Sequence, residues 1–121
     1  MTEQSTLQEF EFFNNLLEGC QIISYDWKYL FVNHPVLEHA RKSWEDLLGK
    51  TMMEAYPGIE NTDVFASLKQ VMETRHVIRR ENEFTYPDGR KGWFDLNILP
   101  WQDGVMILSL DITHLKEAGS R

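Results

Sequence analysis

The segment YPDGRKGWFDLNILPWQDGVMILSLDIT, residues 86–113, carries the pattern that decides the fold. Two runs rich in β-branched and aromatic residues, 91–101 and 105–113, flank Gln102-Asp103-Gly104, and Pro87-Asp88-Gly89 precedes the first run. Pro, Asp and Gly in such positions are typical of tight turns between antiparallel strands. Together with the preceding run VIRRENEFTY, residues 77–86, the segment predicts a three-stranded antiparallel meander.

The first half of the chain predicts a hairpin followed by short helices. Two β-rich runs, 20–25 and 29–33, flank a polar turn at 26–28. Asn33 and Ser43 are candidate N-caps of two helices of about two turns, and Thr62 is a candidate N-cap of a longer helix that ends near Arg75. This order predicts an α+β fold, in which a five-stranded antiparallel sheet carries short helices on one face and a cavity can form between them.

Residues 1–18 predict an amphipathic helix that precedes the hairpin. Its apolar stripe consists of Phe10, Phe13, Leu16 and Leu17, and Gly19 is placed to end it. The predicted strands have apolar residues on both faces, so we expect this helix to cover the outer face of the sheet and to pair with a second copy of the chain.

Composition and charge exclude several classes of protein. A chain of 121 residues that is 42% hydrophobic fits one globular domain. Its net charge of -7 disfavours nucleic acid and anionic membranes as partners. A single cysteine allows no internal disulfide, and the sequence has neither a secretory signal nor an apolar run of membrane-spanning length. We therefore expect a cytoplasmic protein without direct membrane contact.

Two segments resemble the PAS domain family. GCQIISYDWKYLFVNHPVLEHARKSWEDLLGKTMMEAYP, residues 19–57, is similar to its opening hairpin, short helices and Leu-Gly-Lys step. Residues 86–113 are similar to its closing meander, with the Asp-Gly turn, the Trp, the strand-ending Pro and the final Asp-Ile-Thr. The resemblance covers residues 19–114. It implies the PAS domain over 19–114 and the start of a signalling helix over 115–121, and the amphipathic pattern adds an N-terminal capping or dimerisation helix over 1–18.

The resemblance also implies a function. PAS domains sense a stimulus, commonly through a small ligand or through dimerisation, and regulate an output module such as a histidine kinase or a cyclase outside this chain. Asp111 and Thr113 lie where the last strand meets the signalling helix, and their short oxygen-bearing side chains suit the binding of free backbone donors there. We expect them to transfer the signal and to be dispensable for the core.

Catalysis and metal binding are disfavoured by the residues available. No nucleophile with a base and no pair of carboxylates has a suitable spacing. His34 and Glu38 are four residues apart but lack a third metal ligand, and Cys20 is expected to be a buried, unreactive thiol. Asp95 and Asn97 alternate with apolar residues and could contact a ligand or solvent. A small cone-shaped enzyme of the ketosteroid-isomerase type remains an alternative, although its long opening helices do not match the order here.

The cofactor is unknown from the sequence. The region HARKSWEDLLGK, residues 39–50, has no cysteine for the covalent flavin adduct of light-sensing PAS domains, so we expect no such adduct. Haem is disfavoured as well, because only His76, at the end of the long helix, lies near the position of a haem ligand. An apolar cavity is expected, although the same residues describe a plain core, which would suit a purely structural dimerisation module. Its expected walls are Ile22, Phe31, Leu37, Leu47, Met52, Met53, Tyr56, Leu68, Met72, Phe84, Phe94, Leu96 and Ile107.

Overall fold

A single antiparallel sheet organises the chain. The computed structural model describes residues 18–86 and 88–119. Its five strands follow the spatial order β2-β1-β5-β4-β3, and every neighbouring pair is antiparallel. This confirms the predicted early hairpin and late meander. The strands are β1 (Gly19–Ile23), β2 (Tyr29–Val32), β3 (Ile78–Thr85), β4 (Lys91–Trp101) and β5 (Gly104–Asp111).

Short helices occupy the chain between the hairpin and the meander, and one more follows the last strand. None of the helices described is long and apolar enough to span a membrane. They are α1 (His34–Ala40), α2 (Trp44–Leu47), α3 (Met52–Ala55), a 3₁₀ turn (Ile59–Asn61), α4 (Asp63–Thr74) and α5 (Thr113–Gly119).

Side-chain caps explain where these helices begin. The Asn33 side chain accepts a hydrogen bond from the Val36 amide at 3.4 Å, and the Thr62 hydroxyl accepts one from the Phe65 amide at 3.3 Å. Ser43 begins α2 with a capping box, as its position in the sequence predicts. At α2 the Ser43 amide donates to the Asp46 carboxylate at 2.8 Å. Because these contacts satisfy amides at the starts of α1, α2 and α4, the sequence alone predicts those starts.

The principal core lies between the sheet and α1 to α4. Ile23, Val105 and Ile98 of the three central strands are fully buried there, and they meet Leu68 and Val71 of α4. This core places the helices of residues 34–74 on one face of the sheet, as predicted.

Gly104 permits a close approach at the start of β5. A Cβ atom at this position would lie 2.0 Å from the carbonyl oxygen of Ile23, so no larger residue fits without moving the backbone. The neighbouring turn is tied to α4, because the Arg75 guanidinium donates to the carbonyl oxygens of Gln102, at 2.6 Å, and Gly104, at 3.0 Å.

A second, smaller cluster lies on the other face of the sheet. It contains Cys20, Ile22, Phe31 and Met106, and the partly buried Trp44 packs against it. The predicted helix with its stripe of Phe10, Phe13, Leu16 and Leu17 lies outside the described residues, so its expected position over this face stays a prediction.

Candidate functional site

The main cavity, of about 500 Å³, lies between the inner face of the sheet and the helices. Its opening is bordered by exposed residues at Pro57, Gly58 and Thr62 on one side and by Glu83 and Thr85 of β3 on the other. Most of the wall is apolar. Eight of the predicted wall residues line it: Leu47, Met52, Tyr56, Leu68, Phe84, Phe94, Leu96 and Ile107.

Five predicted wall residues do not line the cavity. Ile22 and Phe31 face each other across β1 and β2 but belong to the cluster on the outer face, so this part of the prediction is wrong. Leu37, Met53 and Met72 are partly buried against the principal core without reaching the cavity.

Polar side chains that sequence reasoning did not select also line the cavity. Gln21 of β1, Ser109 of β5 and His39 of α1 contribute polar groups to a mainly apolar wall. Tyr29 lines it beside them, and Asn82 of β3 lies toward the opening. The sequence signal for Gln21 and Ser109 was available, because each interrupts an apolar strand at a position that faces the helices.

The two tyrosines of the cavity stay neutral at physiological pH. Burial is the larger cause that raises the pKa of Tyr29, and the proximity of Tyr56 raises it further. Burial is the larger cause that raises the pKa of Tyr56 to about 12, and the negative charge of Asp46 is the smaller one. Both hydroxyls can therefore donate hydrogen bonds, but neither can serve as a base near neutral pH.

The predicted signal-transfer residues join the sheet to α5. The Thr113 hydroxyl donates to the Asp111 carboxylate at 2.6 Å and accepts from the backbone amide of Trp93 on β4 at 2.9 Å. The Asp111 carboxylate also accepts from the Thr113 amide at 2.9 Å. Further along α5, the Lys116 ammonium forms an ion pair with Glu81 at 2.5 Å and lies over the Trp93 ring. The first turn of α5 is thus held to β4 and β3.

His39 lies between this junction and the main cavity. It lines the cavity, and its ring packs against that of Phe94 with the centroids 5.3 Å apart. It also lines a second cavity, of about 320 Å³, together with Asp111, Thr113 and Glu117. Partial desolvation raises the pKa of Asp111, but the hydrogen bonds from Thr113 and the charge of His39 outweigh this effect, so the net pKa is lowered.

A family model described as the PAS fold matches residues 13–117. The chain belongs to the PAS family. The PAS fold implies a sensory or signalling domain, and PAS domains are in general sensory and not catalytic. No curated protein matches this PAS domain significantly in sequence.

Solved structures with the same fold come from several kinds of signalling protein. A LOV protein of Rhodobacter sphaeroides is 12% identical with a TM-score of 0.72, over 98% of this chain and 77% of the other. A PAS domain from a two-component sensor histidine kinase is 16% identical with a TM-score of 0.65, over 92% and 99%. A structure of the Vibrio cholerae VqmA dimer is 22% identical with a TM-score of 0.74, over 90% and 52%, so the PAS domain spans about half of VqmA. In another solved structure with the same fold, VqmA is bound to DPO.

Two other residues that the sequence offered as reactive or ligand-binding candidates, Cys20 and Asp95, have structural roles in this PAS domain. Cys20 is fully buried, and burial, followed by the charge of Glu18, raises the pKa of its thiol to about 12. Asp95 lies on the face of the sheet opposite the cavity and forms an ion pair with Arg79 at 2.9 Å. Within residues 18–86 and 88–119, no group of three potential metal ligands comes together.

Proposed function

We propose that this PAS domain senses a small ligand, which binds in the main cavity and regulates an output module through α5. The observation that carries the proposal is the cavity itself, because about 500 Å³ lies within the range of small-molecule sites. A plain core would be close-packed at this position. The polar groups of Gln21, Ser109 and His39 add points at which a ligand can be oriented.

We further propose that the signal passes through His39 to the junction of Asp111 and Thr113. A ligand that displaces the His39 ring would change the surroundings of the Asp111 carboxylate, which receives two hydrogen bonds from Thr113. The sheet itself need not move for this change to reach the first turn of α5. The output module is proposed to be a histidine kinase or a cyclase in a cytoplasmic protein, and the domain boundaries are proposed to follow residues 19–114.

Dimerisation is the second proposed activity. It rests on the predicted stripe of Phe10, Phe13, Leu16 and Leu17, and on the VqmA dimer among proteins of the same fold. Sedimentation at high concentration should show a dimer for the natural chain and a monomer for Phe13→Glu. A natural chain that sediments as a monomer would remove this part of the proposal.

A screen of small molecules by ligand-observed NMR tests the proposed ligand binding. Ala40 lines the cavity at the end of α1, so Ala40→Leu should fill part of the space and weaken most binders. Ala66 is exposed on α4 and does not line it, so Ala66→Leu is the matched control and should leave binding unchanged. If the screen yields no compound whose binding depends on residue 40, the ligand-binding function is refuted.

A further inference from the structure

Two polar side chains form a pair on the inner face of the sheet. In the pairing of β1 with β5, Gln21 lies opposite Ile107 and Gly19 lies opposite Ser109. Gln21 and Ser109 are therefore diagonal neighbours on the same face, roughly 7 Å apart at the backbone. Both line the cavity, and Ser109 is 7% exposed. Their polar atoms can thus be reached by one small molecule.

The backbone around this pair leaves room for the serine hydroxyl. A Cβ atom at Gly19 would lie 2.4 Å from the Ser109 Oγ and 2.9 Å from the Val36 Cγ2 of α1. Glycine on β1 therefore lets the hydroxyl sit beneath α1 at the edge of the cavity. A larger residue at position 19 would force the hydroxyl or the helix to move.

The charges around the cavity disfavour an ionic ligand. Among the described residues that line it there is neither a lysine nor an arginine. Glu83 lies at the opening and pairs with Lys91 at 3.7 Å. Arg80, which approaches α4 from β3, is engaged with the Asp63 carbonyl oxygen and the Ser67 hydroxyl, each at 3.1 Å. His39 is the one described lining side chain that can become cationic, and its charge already acts on the Asp111 carboxylate. Because a buried charge without a counter-charge of its own is strongly destabilised, the cavity favours a neutral ligand over an anion.

The chemistry of the pair selects a matching group on the ligand. A glutamine side chain presents an acceptor and two donors in one plane, and a serine hydroxyl can donate and accept. A ligand group can hydrogen-bond both side chains if it has a donor next to an acceptor. The edge of a cis-amide or lactam has this arrangement. The rest of the wall is mainly apolar, so the rest of the ligand should be apolar as well.

We propose that the ligand of this cavity is a neutral, mainly apolar molecule with an amide-like edge, which Gln21 and Ser109 bind. This inference rests on the proposed ligand-binding function and adds the chemical class of the ligand. A site that hydrogen-bonds such an edge also discriminates against molecules without it, because its own polar groups would then be left unpaired.

Three bicyclic probes of similar size test the inference by NMR titration: quinolin-2(1H)-one with an amide edge, the 2-naphthoate anion, and naphthalene. The natural chain should bind quinolin-2(1H)-one at least tenfold more tightly than either other probe. Gln21→Leu should weaken its binding at least tenfold without weakening naphthalene, and Ser109→Ala should act in the same direction. Melting curves of both variants verify that they are folded.

The outcomes separate the class of ligand from ligand binding itself. If 2-naphthoate or naphthalene binds as tightly as quinolin-2(1H)-one, or if Gln21→Leu and Ser109→Ala change nothing, the amide-edge inference is overturned. If no probe binds although the compound screen yields binders that Ala40→Leu weakens, the inference fails alone. If that screen is also empty, the proposed function fails with it.

Discussion

Replacing Thr113 by valine tests the hydrogen bonds that join the sheet to α5. The two side chains have nearly the same shape, so the substitution removes the hydroxyl and leaves the packing. The variant loses the hydrogen bond that the hydroxyl accepts from the Trp93 amide at 2.9 Å. It also loses the two contacts that share the hydroxyl proton, to the Asp111 carboxylate at 2.6 Å and to the Trp93 carbonyl oxygen at 3.4 Å. The bond from the Thr113 amide to Asp111 is retained, because it does not involve the side chain.

The expected loss of stability is small enough for the domain to remain folded. A hydrogen bond contributes about 0.5–1.5 kcal/mol net, and Trp93 is half-buried while Asp111 is exposed, so we expect about 1–2 kcal/mol in total. A domain of this kind has a free energy of unfolding of about 5–15 kcal/mol. The melting temperature should fall by about 3–10 °C.

The effect should be concentrated in α5. Hydrogen exchange of the amides in residues 113–119 should become faster in Thr113→Val than in the natural chain, while exchange in β1 and β5 changes little. Thr85→Val is the matched control, because it removes the same hydroxyl from an exposed position on β3. If α5 exchanges at the natural rate, or if Thr113→Val unfolds the domain, then Thr113 does not form a separable junction. In a parent protein, the same variant should bind ligand but lose regulation of its output.

Three further predictions concern other parts of the fold. Gly104→Ala should destabilise the domain by about 1–3 kcal/mol in urea denaturation, because its Cβ would overlap the Ile23 carbonyl oxygen at 2.0 Å, and a loss below about 0.5 kcal/mol would contradict this. Asn33→Ala should cost about 2–4 kcal/mol by the same assay, since the buried side chain accepts from the Cys20 amide at 2.9 Å and caps α1, and a neutral effect would exclude that role. The lowered pKa of Asp111 stabilises the folded state above its ordinary pKa of 3.8, and this contribution is lost as the pH falls through the lower folded value. Asp111→Asn should therefore be less stable than the natural chain at pH 7, with a difference that shrinks on acidification, and a difference independent of pH would contradict the shift.

The helix starts, the early hairpin and the late meander of the described chain were predictable because local rules determine them. Asn33, Ser43 and Thr62 cap helices at the positions that their side chains indicate. The turns of the meander likewise follow from Pro, Asp and Gly at short spacing. Each of these features depends on a few consecutive residues, so tertiary contacts had little opportunity to override them.

Phe31 was wrongly predicted to line the cavity, and the error has a specific structural cause. The β1–β2 register shifts between Ile22 and Ile23, where the partners are Phe31 and then Tyr29. Leu30 is therefore an extra residue in β2, and it is 57% exposed. With strict alternation Phe31 and Tyr29 would share a face, but the bulge places Phe31 in the outer cluster and Tyr29 at the cavity. Nothing in the local sequence of β2 marks this insertion.

Each strand by itself indicates that Gln21 or Ser109 faces the helices, but no single segment shows that the two side chains lie close together. Gln21 is typical of a half-buried strand position, and Ser109 is typical of a strand near its end. Their proximity depends on the pairing of β1 with β5, which lie more than eighty residues apart in the chain. The same pairing brings Gly19 against Ser109 and so makes the glycine necessary. Apolar periodicity identifies what a cavity wall is made of, whereas the position at which a ligand is recognised depends on contacts that form only after the sheet has closed.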